Sequence, residues 1–160
     1  MTAVRIAVLG TPGAGRTTFI RTISEIMVLS TDLPDDDGDD VPGAAEDVGR
    51  ITVDRDLVLH LVSSGAAVRV GGPAVLGHVV LVDGSRPDRL PAAAALLADV
   101  RAGGAPYVVV VRADDDLAAV RDGLGLEEQH PVLRCDARDR AAVKRVLLAL
   151  LQAAAAALAA

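Results

Sequence analysis

The sequence predicts an α/β protein with three layers, in which helices cover both faces of a mostly parallel sheet. Short apolar runs alternate with segments of helical spacing along most of the chain. Several runs are apolar without interruption, as in strands that are buried on both faces. One pair of runs flanks a short polar turn, which predicts a hairpin. The expected sheet has six strands, and one of them is an antiparallel strand at the edge.

The N-terminal half is predicted to contain three strands and one helix. The apolar run Val4–Leu9 gives the first strand, and apolar residues at helical spacing predict a helix from about Thr17 to Met27. The runs at residues 49–53 and 56–62 form the hairpin around Asp54 and Arg55. Residues 63–77 are small and rich in glycine, so we expect a loop there.

The C-terminal half is predicted to repeat a strand and a helix three times. We expect strands at residues 78–82, 107–111 and 132–135, and helices that contain Leu97, Val120 and Leu147. Residues 152–160 are mostly alanine and are interpreted as the helical tail of the last helix. No segment resembles a linker, so residues 1–160 are predicted to form a single domain.

Composition argues against several classes of function. The chain has a net charge of −6, and Phe19 and Tyr107 are its only Phe, Tyr or Trp residues, so nucleic-acid binding is not expected. Cys135 is the single cysteine, which excludes an internal disulfide and fits a reducing cytoplasm. Residues 146–160 are apolar apart from Gln152, but the run is too short and alanine-rich to span a bilayer, which needs about 20 apolar residues. We expect no integral membrane segment.

Residues 32–47 form an acidic segment. They contain eight Asp or Glu residues and no Lys or Arg, so the rest of the chain carries a net charge of +2. Such a segment is typical of a solvated, flexible loop. An EF-hand calcium loop is excluded, because Leu33 and Ala44 would occupy its two end positions, where acidic ligands are required.

A candidate phosphate-binding loop follows the first predicted strand. Residues 10–18 match the pattern G-x-x-x-x-G-K-[ST], except that arginine replaces lysine. In such a loop the backbone N–H groups surround a phosphate, and the N-terminus of the next helix adds partial positive charge. Thr17 is also the candidate Mg²⁺ ligand. The predicted phosphate-binding residues are Gly10, Gly13, Ala14, Gly15, Arg16, Thr17 and Thr18.

The order of these motifs resembles that of the Ras-like small GTP-binding proteins. Among them it is similar to the bacterial conservon GTP-binding proteins, which are encoded beside a roadblock-type protein and a sensor-kinase-like protein. The resemblance spans almost the whole chain. It is carried by residues 10–19, 24–26, 47–54, 56–59, 106–109 and 135–139.

The resemblance implies a P-loop NTPase fold and GTP or GDP with Mg²⁺ as weakly held ligands. Asp115, the Ala137 N–H and Arg138 match the positions at which the family binds the base. A roadblock-type partner is implied as well. The protein is expected in the cytoplasm, with recruitment to a membrane sensor complex through its partners.

The sequence departs from the family pattern mainly where the γ-phosphate is sensed. Arg16 replaces the lysine of the phosphate loop, and residues 42–45 contain no hydroxyl where the switch threonine is expected. Residues 63–67 lack the glycine and the glutamine of the second switch, so a usual means of orienting the attacking water is missing. Arg112 replaces the asparagine of the guanine motif.

Two hypotheses remain open from the sequence. One is a nucleotide-binding signalling protein with weak binding, impaired hydrolysis and a protein partner. The other is a nucleotide-independent pseudo-GTPase docking module. No catalytic residue is assigned in either case. We interpret His60, His78 and Cys135 as structural residues and Asp83 as a turn residue.

Overall fold

The computed structural model describes residues 2–11, 13–26, 29–30, 47–63, 75–128 and 130–159. The acidic loop predicted at residues 32–47 lies outside these ranges except for Asp47. The strands are β1 (Thr2–Gly10), β2 (Leu29–Ser30), β3 (Asp47–Thr52), β4 (Leu57–Ser63), β5 (Val75–Val82), β6 (Tyr107–Val111) and β7 (Val132–Arg134). The helices are α1 (Arg16–Ile23), α2 (Leu90–Ala102), which follows a short 3₁₀ turn at Pro87–Arg89, α3 (Leu117–Leu124) and α4 (Arg140–Ala159).

The strands form one mixed sheet in the order β2-β3-β4-β1-β5-β6-β7. β1 lies in its centre and pairs in parallel with β4 and β5, and the parallel pairing continues through β6 to β7. β3 runs antiparallel to both of its neighbours. The predicted fold class is therefore confirmed: the six predicted strands form, and one of them is antiparallel. The two-residue strand β2 lies outside β3 and was not predicted.

Helices cover both faces of the sheet because the side chains of its inner strands are apolar on both faces. Ile6 and Val8 point to one face and belong to a core cluster with residues of α1 and α4. Ala7 and Leu9 point to the other face and belong to a cluster with residues of α2 and α3. This alternation follows from the two-residue period of a strand.

The outer edge of β3 is closed by the two residues that follow α1. Ser24 Oγ accepts the Arg50 N–H at 3.0 Å, and the Glu25 N–H donates to the Arg50 carbonyl at 2.8 Å. Glu25 Oε1 accepts the Thr52 N–H at 2.9 Å. These bonds satisfy edge groups that would otherwise face solvent. They also require Ser24 to be extended, so the prediction that α1 reaches Met27 is wrong.

α4 begins at Arg140 and continues through most of the predicted alanine-rich tail. The helix begins six residues before the apolar run at residues 146–160 that the sequence analysis considered. By length and composition alone, Arg140–Leu158 is long and apolar enough to cross a membrane. One side of the helix is buried in the core, where Val143 and Leu150 are 0% exposed. Gly77 of β5 leaves room for it, since a Cβ there would lie 2.7 Å from Leu150 Cδ1. Packing against the sheet thus accounts for the apolar inner side.

We expect Leu150→Ala to lower the free energy of unfolding by about 2–5 kcal/mol, because it removes a fully buried side chain and leaves a cavity. Leu148→Ala is the matched control on the same helix, since Leu148 is 55% exposed. That control should change stability by no more than about 0.5 kcal/mol. Urea denaturation followed by circular dichroism measures both values. Equal effects of the two substitutions would contradict the packing of α4.

Candidate functional site

The candidate phosphate loop leaves the end of β1 through a tight turn. A Cβ on Gly10 would lie 2.9 Å from the Leu81 carbonyl oxygen, so a side chain does not fit there. Gly13 and Gly15 have φ angles of 84° and 100°, in the left-handed region that glycine tolerates. The Ala14 N–H closes the turn by donating to the Thr11 carbonyl at 3.0 Å. The loop therefore has the conformation that its three glycines predict.

The N-terminus of α1 has donors available for an anion. Gly15 is the N-cap and provides no side-chain acceptor. The N–H groups of Thr17 and Thr18 belong to the first helical turn and lack an intrahelical acceptor. The helix dipole adds partial positive charge at the same point. This end of the loop can therefore bind a phosphate through the backbone alone.

The candidate metal ligand Thr17 contacts an acidic residue from the hairpin. Its hydroxyl donates to Asp47 Oδ2. Asp47 is 7% exposed, and its own N–H donates to Ser63 Oγ at 3.1 Å. Arg16 lies near the same carboxylate: burial lowers the pKa of Arg16, and the charge of Asp47 raises it. A carboxylate and a hydroxyl therefore meet beside the phosphate loop.

A cavity of about 440 Å³ lies at the carboxyl ends of β5, β6 and β7. Its floor is apolar and includes Phe19, Val110 and Cys135. Its rim is polar and joins the phosphate loop to the loops that follow β6 and β7. The rim residues are Ala14, Gly15, Thr18, Arg112, Ala113, Asp114, Asp136, Ala137 and Arg138. Arg16 and Thr17 do not line the cavity, so the predicted phosphate-binding residues divide between two sides of the loop.

Asp115 holds together the loops that follow two neighbouring strands. It is 6% exposed, and its Oδ2 accepts the Gly84 N–H at 2.9 Å and the Arg112 N–H at 3.0 Å. Asp115 does not line the cavity; Asp114 does. A carboxylate has capacity for further donors. Its Oδ1 makes no hydrogen bond within the described residues.

Arg112 connects the same loops to the phosphate loop. Its Nη2 donates to the Gly13 carbonyl at 3.2 Å and lies 3.5 Å from Asp83 Oδ2. Burial alone would raise the pKa of Asp83, but hydrogen bonds from Ser85 and the charge of Arg112 lower it below its usual value. Asp83 therefore acts in the turn after β5, as the sequence predicts. Arg134 of β7 also holds the loop after β6, because its Nη1 donates to the carbonyls of Ala113 and Asp115, each at 2.8 Å.

The loop after β7 brings Ala137 opposite the phosphate loop. Thr22 Oγ1 of α1 donates to the Ala137 carbonyl at 2.5 Å, and Asp136 Oδ1 accepts the Arg138 N–H at 2.9 Å. A Cβ on Gly15 would lie 4.0 Å from the Ala137 Cβ. Within the described residues the Ala137 N–H has no hydrogen-bond partner. Its predicted role as a base donor is compatible with this arrangement.

The described residues give little support for a reactive cysteine or for a metal site built from His, Cys, Asp and Glu side chains. Cys135 is buried, and burial raises the pKa of its thiol to about 11, so the predicted structural role is confirmed. In the part of the chain that the structure describes, no three His, Cys, Asp or Glu side chains are placed to hold a metal ion. The sequence placed Arg112 in the guanine motif but assigned it no contact, and it did not single out Asp47 or Arg134 as site residues. The hairpin register, which pairs Asp47 with Ser63, could have indicated the first of them.

No protein-family model and no curated protein matches this sequence. Solved structures match its fold. The G domain of the T. maritima FeoB iron transporter has a TM-score of 0.63 and 14% identity, and the match covers 96% of this chain and 99% of that one. The Arl6 BBS3 small GTPase from Trypanosoma brucei with bound GppNp has a TM-score of 0.65 and 16% identity, with 96% and 98% covered.

Longer proteins match as well. The cytosolic domain of T. maritima FeoB in one of its GDP forms has a TM-score of 0.63 and 14% identity, and the match covers 96% of this chain but 64% of that chain. At such identities the likeness concerns the fold. The chain has the small GTPase-like fold of a G domain, with a P-loop between β1 and α1.

We expect Asp115→Ala to destabilise the protein by about 1–3 kcal/mol in the absence of any ligand, because two backbone donors lose their acceptor. Asp114→Ala is the matched control, since Asp114 is the exposed neighbour in the same loop. That control should leave the thermal unfolding curve almost unchanged. Thermal denaturation of both variants tests this. A stable Asp115→Ala protein would show that the carboxylate does not hold the loops.

Proposed function

We propose that this protein is a small GTPase-like signalling protein that binds guanine nucleotides weakly, hydrolyses them slowly or not at all, and acts through a protein partner. The cavity is the observation that carries the proposal. One continuous surface joins Gly15 and Thr18 of the phosphate loop to Asp114 and Ala137 of the loops suited to a base. The binding surfaces for a base and its inner phosphates are therefore adjacent.

The size and chemistry of the cavity suit a nucleotide. Its volume of about 440 Å³ lies within the usual range of ligand pockets. An apolar floor can contact a flat ring, and the Ala137 N–H can donate to a ring substituent. A contact between a ring N–H and Asp115 Oδ1 requires the ring to reach a buried carboxylate behind the cavity lining. The N–H groups of the first turn of α1 can bind the inner phosphates.

The side of the phosphate loop that would face a γ-phosphate is less suited to binding it. Arg16 and Thr17 lie outside the cavity lining, and the carboxylate of Asp47 is close to both of them. Its negative charge opposes a γ-phosphate unless a cation lies between the two. The family's water-orienting glutamine is absent from the sequence. Binding should therefore depend on the inner phosphates, and a nucleoside diphosphate should bind about as well as a triphosphate.

The second candidate function is a docking module that uses no nucleotide. The observation in its favour is that the base side is held together by the chain itself. Asp115 joins the loops after β5 and β6, and Arg112 joins them to Gly13 of the phosphate loop. Arg134 fixes the same loop by two further bonds. A site braced in this way keeps its shape without a ligand.

The proposed partner rests on the resemblance to the conservon proteins. Those proteins are encoded beside a roadblock-type protein and a sensor-kinase-like protein, so the proposal is that a roadblock-type protein is the partner and that a membrane sensor complex recruits the chain through it. A cytoplasmic location of this chain follows from the same reasoning. Co-purification of the chain with a roadblock-type protein tests the proposal directly, and failure of the two to associate would remove this part of it.

We expect fluorescent GDP and GTP to bind the purified protein with affinities that agree within about threefold, since a difference of that size is under 1 kcal/mol. Gly15→Ala should abolish binding, because its φ of 100° is strained for alanine in the phosphate loop. Gly104→Ala is the matched control. Gly104 has a φ of 75° and equally open surroundings, but lies in the turn after α2, far along the chain from the loop.

Arg16→Lys belongs in the same titration. Stronger binding by this variant would identify the arginine as the cause of weak binding. Equal signals from the wild type, Gly15→Ala and Arg16→Lys would instead support the docking module. A clear preference for GTP over GDP would contradict the proposed use of the inner phosphates.

We expect phosphate release from GTP to remain at background in a steady-state assay, because the sequence lacks the switch residues that position the attacking water. The control is Thr17→Ala, which should give the same background rate. Turnover by the wild-type protein that Thr17→Ala abolishes would show that the loop catalyses hydrolysis.

A further inference from the structure

We propose that Asp47 and Thr17 together form the Mg²⁺ site of this chain, with the carboxylate supplied by the first residue of the antiparallel strand β3. This proposal deepens the function proposed above, and it rests on that function for the phosphate that accompanies the metal. The sequence indicated only Thr17 as a metal ligand.

The direction of β3 places Asp47 at the site. Parallel strands present their carboxyl ends at one edge of the sheet, and ligands bind beyond that edge. β3 runs the other way, so its first residue reaches this edge. The register pairs Asp47 with Ser63 of β4, and Ser63 with Val8 of β1. β1 then continues for two residues to Gly10, where the phosphate loop begins.

The donor atoms suit a hard cation. The Thr17 hydroxyl and the Asp47 carboxylate already touch through a hydrogen bond, so both can contact one ion with little rearrangement. Mg²⁺ in proteins prefers oxygen ligands and usually takes one or two carboxylates with phosphate oxygens and water. P-loop proteins hold it with the loop Ser or Thr and an acidic side chain. The residues present therefore fit Mg²⁺.

Ser63 holds the backbone of Asp47 in place. It stands at the end of β4, is 3% exposed, and its hydroxyl accepts the Asp47 N–H at 3.1 Å. Since Asp47 itself is 7% exposed, its backbone and side chain are held from two sides. A position fixed by the sheet lowers the entropic cost of binding an ion.

Arg16 makes metal binding depend on phosphate. It directly precedes Thr17 as the first residue of α1, so a positive charge stands next to the Thr17–Asp47 pair in the sequence. A divalent ion added to Arg16 and Asp47 alone would bring excess positive charge. A diphosphate supplies the compensating negative charge, so the ion and the diphosphate should strengthen each other's binding by the same factor. When bound, Mg²⁺ would neutralise phosphate charge that otherwise faces Asp47.

The test uses Mn²⁺ as a spectroscopic substitute for Mg²⁺. Free Mn²⁺ is measured by electron paramagnetic resonance with the full chain alone and with GDP added, and GDP binding is measured separately in EDTA. The test variant is Asp47→Asn, which keeps the size of the side chain and an acceptor oxygen. Asp99→Asn on the exposed face of α2 is the matched control for net charge. Thr17→Ser keeps the hydroxyl, and circular dichroism checks that each variant is folded.

We expect GDP to tighten Mn²⁺ binding in the wild type, the Asp99→Asn control and Thr17→Ser. Asp47→Asn should weaken it by about tenfold or more, the range found when metal-site residues are changed. Equal Mn²⁺ binding by the wild type and Asp47→Asn, with and without GDP, would overturn the proposal, as would absence of Mn²⁺ binding by the wild type. If Asp47→Asn does not fold, unchanged Mn²⁺ binding by Thr17→Val would overturn it instead.

The two proposals fail in different ways. GDP binding in EDTA without any Asp47-dependent Mn²⁺ binding would leave the proposed function standing and remove the metal site. Asp47-dependent Mn²⁺ binding by a protein that does not bind GDP would support the metal site and remove the nucleotide function.

Discussion

The close approach of Gly10 to strand β5 is the constraint on which the site depends. A Cβ on Gly10 would lie 2.9 Å from the Leu81 carbonyl oxygen, so only glycine fits where the chain leaves the central strand β1. Gly13 and Gly15 complete the turn after β1 in left-handed conformations. α1 then begins in an orientation that buries Phe19 in the core. The core therefore fixes the points at which the phosphate loop begins and ends.

The two sides of the site are built by different means. On the base side, the chain closes its own loops through Asp115, Arg112 and Arg134, and each of these bonds joins segments from different strands. On the phosphate side, a single buried carboxylate, Asp47, contacts the hydroxyl of Thr17, and its charge opposes the lowering of the Arg16 pKa by burial.

Most of the fold could be predicted because its signals are local. Uninterrupted apolar runs marked the strands, and the glycine pattern of the phosphate loop placed the site at the end of β1. The end of α1 could not be predicted, because the apolar period continues to Met27 while Ser24 and Glu25 leave the helix to bond with β3. The roles of Asp47 and Arg112 depend on strand register and loop contacts. In the sequence, Asp47 is simply the last residue of an acidic run.

The contacts of Ser24 and Glu25 also limit how a partner can bind. Proteins often recognise a peptide by adding it as a strand to an open sheet edge, where main-chain groups are available. Along Arg50 to Thr52 those groups already bond to Ser24 and Glu25. A binding protein that approached this edge would have to displace them before it could pair with the backbone. Recognition at this edge must then rely on side chains, which makes it depend on the sequence of this chain more than on its fold.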